Sequence, residues 1–146
     1  MALQPRNPDY RAAVERYVGA QEYLTLIGVA LVRIEPGLAE YRVPYQPAIG
    51  QQDGFFHGGV IGGVAEGVMG AAAATLVEAG ANVVGAEYKV NFLAPGRGTL
   101  LARGIVLKPG RLIVCRADVL AVADDGSETL CAIAQGTMAA VKPSRG

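Results

Sequence analysis

With 146 residues, the chain has the length of one domain and enough material to bury a core. Half of it is hydrophobic (51%), 18% is charged and the formal net charge is zero. Those figures exclude a charge-expanded disordered chain and leave no electrostatic case for nucleic acid or for an anionic membrane surface. The apolar surplus favours an oligomer, and two cysteines with a single histidine argue against both a disulfide framework and a metal site.

The N-terminal stretch MALQPRNPDY lacks a basic region followed by an apolar core, so no signal peptide is expected. No apolar run approaches the roughly 20 residues a bilayer span needs, because Glu66 and Glu78 interrupt the best one. A cytoplasmic protein follows, with Cys115 and Cys131 as buried thiols in a reducing compartment. Asn7 and Pro8 start a short amphipathic helix that carries Tyr10, Ala13, Val14, Tyr17 and Val18 on one stripe. Residues 23–34 and 38–44, rich in branched side chains and separated by Glu35-Pro36-Gly37, predict a hairpin. Residues 45–56 read as a loop.

From Gly58 to about Ala79 the chain is continuously apolar and small, which predicts one long helix ended by Gly80 and enclosed by the rest of the fold. Four strands follow at 83–95, 99–108, 111–123 and 128–141, divided by turns at Pro95–Gly98, Pro109-Gly110 and Asp124-Asp125-Gly126. In the third, Ile113, Cys115, Ala117, Val119 and Ala121 alternate against Arg116 and Asp118. The class is α+β: a single domain over residues 1–146, core about 23–141, in which an antiparallel meander of four strands is covered by the helix.

Within that helix, Gly59, Gly63 and Gly67 recur every fourth residue, and Gly58, Gly62 and Gly70 widen the stripe. Each interior glycine costs about 1 kcal/mol relative to alanine, so packing must hold the helix. For Gly63, Gly67 and Gly70 the reading is close helix-to-sheet contact. Gly58 and Gly59 stand where backbone N–H groups have no intrahelical partner, a setting that suits a developing oxyanion. Glu66 is a carboxylate in an apolar run with no polar stripe beside it, and burial of such a group points to function. Eight residues of helix separate it from Gly58 by about 12 Å, too far for one carbonyl held at about 3 Å from both. If both act on it, they come from different subunits, which predicts a homodimer with two shared sites.

At these residues the sequence resembles the hot-dog-fold acyl-CoA thioesterases, of the phenylacetic-acid-degradation type and the 4-hydroxybenzoyl-CoA thioesterase branch with its acid on the helix. The resemblance rests on QQDGFFHGGVIGGVAEG: Gln51 six before His57, the HGG triplet, and Glu66 nine after it. The stretches EYKVNFLAPGRGTLLARG and AIAQGTM are also similar to the family. It implies a long central helix wrapped by an antiparallel sheet of about six strands, dimers that pair into tetramers, and hydrolysis of an acyl-CoA without any cofactor. It further implies Glu66 as nucleophile or general base, Gln51 as the group orienting water or thioester, the Gly58 amide as oxyanion donor, and His57 as a site-forming residue. One departure stands out: the resemblance implies a Ser or Thr one turn after the acid, and Gly70 occupies that place.

Gly59, Phe55, Phe56, Val60, Ile61 and Met69 are candidates to line an acyl pocket, although core packing explains the large ones too. Arg97, Arg103, Lys108, Arg111 and Arg116 are candidates for the CoA phosphates, or equally a solvated sheet face. Two other functions stay open. A dehydratase or hydratase of acyl thioesters would pair His57 with Glu66, and a non-catalytic acyl-CoA-binding module would bind without releasing thiol.

Overall fold

A computed structural model describes residues 2–142; residue 1 and residues 143–146 of the expected domain lie outside them. Helices α1 (Tyr10–Gly19) and α2 (Glu22–Leu26) precede strands β1 (Ala30–Glu35) and β2 (Leu38–Pro44). A single 3-10 turn, Pro47–Ile49, leads to α3 (Gly58–Ala74), and β3 (Asn82–Phe92), β4 (Thr99–Lys108), β5 (Leu112–Val122) and β6 (Glu128–Val141) complete the chain. The six strands form one antiparallel sheet around α3, the hot-dog arrangement. Among the described residues no helix is long and apolar enough to cross a membrane.

The N-terminal helix starts two residues later than Asn7 and Pro8 predict: Asp9 is the N-cap, without a side-chain cap bond, and Asn7 Oδ1 instead accepts from the Asp9 N–H at 3.0 Å in the turn ahead of the helix. Val14 and Val18 are buried on its inner stripe, as expected. The next run is not one strand. Residues 22–26 are helical, because Leu24 and Ile27 are buried three apart, a helical rather than an alternating spacing. Gly28, at φ +80°, then breaks the chain direction, and the strand begins only at Ala30.

Strand order is β1-β2-β4-β5-β6-β3, which corrects the four-strand meander. Of the four strands after the helix, only β4, β5 and β6 follow one another; β3 pairs with β6 at the far edge, and β4 pairs with β2. The long helix carries the chain across the sheet between β2 and β3, so the two strands that flank it in sequence cannot be neighbours. β5 behaves as its alternation predicts: Ile113, Cys115, Ala117, Val119 and Ala121 are buried, while Arg116 pairs with Asp118 at 2.9 Å on the outer face. Both thiols are buried, which pushes Cys115 up to about 12 and Cys131 up to about 11.

α3 ends five residues earlier than predicted. The Thr75 hydroxyl donates back to the Ala72 carbonyl at 2.6 Å and accepts from the Gly37 N–H at 2.7 Å. Thr75 and Leu76 close the last turn with three-residue steps to Ala72 and Ala73. One hydroxyl thus stops the helix and ties it to the β1–β2 turn. The closest helix-to-sheet approach is made by Gly104 of β4, where an added Cβ would overlap the backbone of Val68 and Met69.

Candidate active site

Positions 59, 62, 63, 66 and 70 fall on one stripe of a 3.6-residue helix. In α3 they are Gly59, Gly62, Gly63, Glu66 and Gly70, so the outward face is bare backbone with one carboxylate in it. The opposite face carries Ile61, Val64, Ala65, Val68 and Met69, all buried.

What the outward glycines meet differs from expectation. Gly63, Gly67 and Gly70 face mainly the N-terminal elements rather than the sheet. From where a Cβ would stand, Tyr23 Oη is 2.6 Å from position 63, Leu24 Cδ2 3.2 Å from position 67 and Tyr17 Oη 3.0 Å from position 70. Only Gly67 also meets a strand, through Tyr41 of β2 at 3.4 Å. On the other flank, β3 lays Phe92 against Gly58 (3.2 Å) and Tyr88 against Gly62 (3.1 Å). Each glycine is the seat of a larger side chain from an element distant in sequence. Together they form a slot along α3, with β3 on one wall and α1 and α2 on the other.

Glu66 sits in that slot. Its Oε1 lies 2.5 Å from where a Cβ would stand at Gly85, beside the bulge between Gly85 and Glu87 of β3. The side chain is half-buried, its carboxylate makes no hydrogen bond or ion pair among the described residues, and its oxygens keep some contact with solvent. Burial raises its pKa above the ordinary 4.5. Tyr17 and Tyr41 face it; burial first and then the acid's charge push Tyr17 up to about 12, and burial raises Tyr41 as well. Tyr41 Oη donates to the Gly67 carbonyl at 3.0 Å, which fixes the middle of α3 to β2.

The helix start separates two glycines that the sequence left equivalent. His57 is the N-cap, and its Nδ1 accepts from the Gly59 N–H at 2.8 Å. The Gly58 N–H has no acceptor among the described residues. Gly59 is therefore spent on capping, and Gly58 keeps a free donor at the positive end of the helix dipole. His57 itself is exposed, with its Nδ1 turned to the Gly59 N–H.

Gln51 holds the loop ahead of the helix. Its Oε1 accepts from the backbone N–H groups of Asp53 and Phe55, and its own backbone N–H donates to the Phe55 carbonyl at 2.8 Å. Phe56 is only 3% exposed, packs edge-on against Tyr45 and bonds through its N–H to Gly96. Met69 is fully enclosed. Neither can line a pocket, since neither has surface to offer; both are corrected to core, as is Ile61. Val60 is partly exposed beside the slot, and the Arg97 guanidinium stacks 3.9 Å above the Phe55 ring next to the helix start.

The five basic residues do not cluster. Arg103 donates to Glu40 at 2.6 Å and Arg116 to Asp118, both on the outer sheet face. Lys108 and Arg111 flank the β4–β5 turn near the far end of α3. Only Arg97 is near the slot. The residues that sequence reasoning missed are Gly85, Tyr23, Tyr88 and Phe92, with Tyr17 placed on a core-facing stripe; the one available signal was that so many glycines need large partners.

Residues 11–140 match the family described as Domain of unknown function (DUF4442). A Silicibacter pomeroyi protein described as a thioesterase family protein is 35% identical, and its crystal structure superposes with a TM-score of 0.87 over 91% of this chain and 98% of that one. A conserved protein of Pseudomonas aeruginosa is 28% identical, with a TM-score of 0.76 over 87% of this chain and 98% of that one. A Halobacterium salinarum relative, provisionally named an esterase, is 28% identical over 137 residues, 88% of this chain and 91% of that protein.

Proposed function

The chain belongs to the DUF4442 family and to the thioesterase family of its Silicibacter pomeroyi relative, and from that premise we propose that it hydrolyses an acyl-CoA thioester in a site shared between two copies of itself, in the manner of the phenylacetic-acid-degradation type. The observation that carries this reading is a half-buried, unpaired Glu66 on a glycine face whose helix start keeps a free Gly58 N–H.

Within one chain those two groups are eight residues of continuous helix apart, about 12 Å. Two antiparallel α3 helices side by side bring each acid to the other's start. β3 supplies the means: it is an 11-residue edge strand with one ladder unpaired among the described residues, exposing Val84, Tyr88 and Phe92, with Leu93 exposed just past its end. Such an edge invites a second strand, and pairing β3 with its copy lays the two slots against each other.

In that site Glu66 takes a proton from water as the water oxygen attacks the thioester carbon, the carbonyl oxygen gains charge facing the partner's Gly58 N–H, and collapse releases the CoA thiolate, which takes up that proton. In the direct route the Glu66 carboxylate attacks instead, the thiolate leaves, and water then adds to the Glu66 carbon of the mixed anhydride, freeing the acid and passing its proton to the thiolate. One preorganised oxyanion donor is worth about 10² to 10³ in rate. Val60, Tyr23, Tyr88 and Phe92 line the slot for an aromatic or medium-length acyl group, and Arg97 meets the CoA phosphates.

The test is thiol release across an acyl-CoA panel, with Glu66→Gln and Gly58→Pro as variants. Proline is accepted at the first helical position and His57 already has the extended ψ of 137° that precedes proline, so the N–H is lost while the added carbons meet the Phe92 ring at 3.2 Å, which must give slightly. Each variant alone is expected to lose turnover, and mixed dimers of the two to regain it. Inactive mixed dimers would refute shared sites. Crotonyl-CoA hydration without thiol release would replace hydrolysis by hydratase chemistry. A single turnover in H₂¹⁸O separates the two routes, since only direct attack labels the Glu66 carboxylate.

A further inference from the structure

Glycine at position 70 leaves no side chain one helical turn beyond Glu66, on the same face. The space is nonetheless filled. Tyr17 reaches in from α1 and sets its Oη 3.0 Å from where a Cβ of residue 70 would stand, with ring carbon Cζ at 3.9 Å. Gln21, one turn on in the chain, bonds the Tyr17 carbonyl at 3.2 Å and so fastens the end of α1 that carries the ring. The phenol donates to the Val83 carbonyl at the start of β3, two residues before Gly85, over which the Glu66 carboxylate lies. Phenol and carboxylate therefore share the gap between α3 and the first residues of β3.

The bond to Val83 is long, at 3.3 Å, in contrast to the 3.0 Å bond that commits Tyr41 to α3. A phenol so held can turn toward a carboxylate or a water beside it at little loss. The two remaining tyrosines of the slot, Tyr23 and Tyr88, sit one turn before Glu66 and are 47% and 43% exposed, so they serve the slot's mouth. Tyr17 is the hydroxyl on the closed side.

We propose that Tyr17 is a positioning residue for the hydrolysis: its phenol, standing over Gly70, holds Glu66 and the water it activates in line with the thioester carbon. The inference rests on the function proposed above. Burial and the charge of Glu66 keep the phenol protonated up to about 12, so it remains a donor wherever the protein works.

The experiment compares kcat and KM for thiol release in Glu66→Gln, Tyr17→Phe, and Tyr17→Phe combined with either Gly70→Ser or Gly70→Ala, with melting curves for each. Tyr17→Phe is expected to lower kcat by about ten- to a hundredfold, the weight of one hydrogen bond to a charged group, with KM within about twofold. In the double variant the ring carbon is at ordinary contact distance, so a serine fits and returns a hydroxyl to the vacated place. We expect Gly70→Ser in that background to recover at least about tenfold of kcat and Gly70→Ala to recover nothing, since a methyl fills the space without a donor. Wild-type kcat in Tyr17→Phe beside an inactive Glu66→Gln would overturn the role of Tyr17 and leave the hydrolase standing. Equal recovery by serine and alanine would reduce Tyr17 to packing. An active Glu66→Gln would remove the proposed function itself.

Discussion

The two faces of α3 solve opposite problems with the same small vocabulary. Inward, Val64, Ala65, Val68, Met69, Ala71, Ala72 and Ala73 are fully enclosed, and every atom is there to fill space. Outward, Gly62, Gly63 and Gly70 withhold atoms so that tyrosines from β3, α2 and α1 can reach the helix around one carboxylate. Interior glycines cost helix stability, so the outward face is built at the expense of the helix and depends on its neighbours to hold it. It follows that altering the inner face should change stability and spare chemistry, and that altering the outer face should do the reverse.

The sharpest test of that division is Glu66→Gln. A positioned base contributes about 10² to 10⁴ in rate, and kcat/KM should fall by that order while the melting temperature does not drop. The pH dependence has a definite sign. Because burial lifts the native pKa above the unfolded 4.5, the native state binds the proton more tightly. Wild-type stability therefore declines, relative to Glu66→Gln, as pH rises from about 4.5 through the native value. Tyr17 and Tyr41, which face the acid, stay neutral in that range and add no charge. The acid limb of kcat/KM should lie above 4.5 as well. A variant that melts lower than wild type at neutral pH would mean that the carboxylate stabilises the fold.

Met69→Ala is the counterpart on the inner face. A fully enclosed methionine truncated to alanine costs about 2–5 kcal/mol, seen in urea unfolding, while thiol release per folded molecule and KM stay unchanged. A raised KM would return Met69 to the acyl pocket. Gly85→Ala should cross the divide, because an added methyl must push Glu66 Oε1 aside from 2.5 Å. A shift of about 1 Å at a reacting group costs about 10²-fold, so kcat/KM should fall by that order with little change in melting. Unchanged turnover would show that the acid has slack against β3.

How far these faces could be read without coordinates depends on which partner lies near in sequence. The inner face was legible, as were β4, β5 and β6, because alternation in a strand and continuous apolarity in a helix are local patterns that burial follows directly. Glu66, His57 and the glycine spacing were legible for the same reason. The slot walls were not. Tyr23 reads as strand because YLTLIG has strand-like composition, and only Leu24 and Ile27 packing on one side shows it to be helical. Gly85 looked like any strand glycine, since nothing local says that a carboxylate lies over it. The place of β3 beside β6, and the helix stop at Thr75, are likewise set by partners far along the chain.

His57 offers the smallest effect and the finest discrimination. Its ring accepts from the Gly59 N–H, which is the work of a cap, and caps contribute about 0.5–2 kcal/mol. His57→Ala should lose that much stability. His57→Asn should restore it, since asparagine is a strong N-cap. If capping is the whole role, His57→Asn also restores turnover, because the helix start and the Gly58 donor are then held as before. If the imidazole polarises the site as well, stability returns and turnover does not.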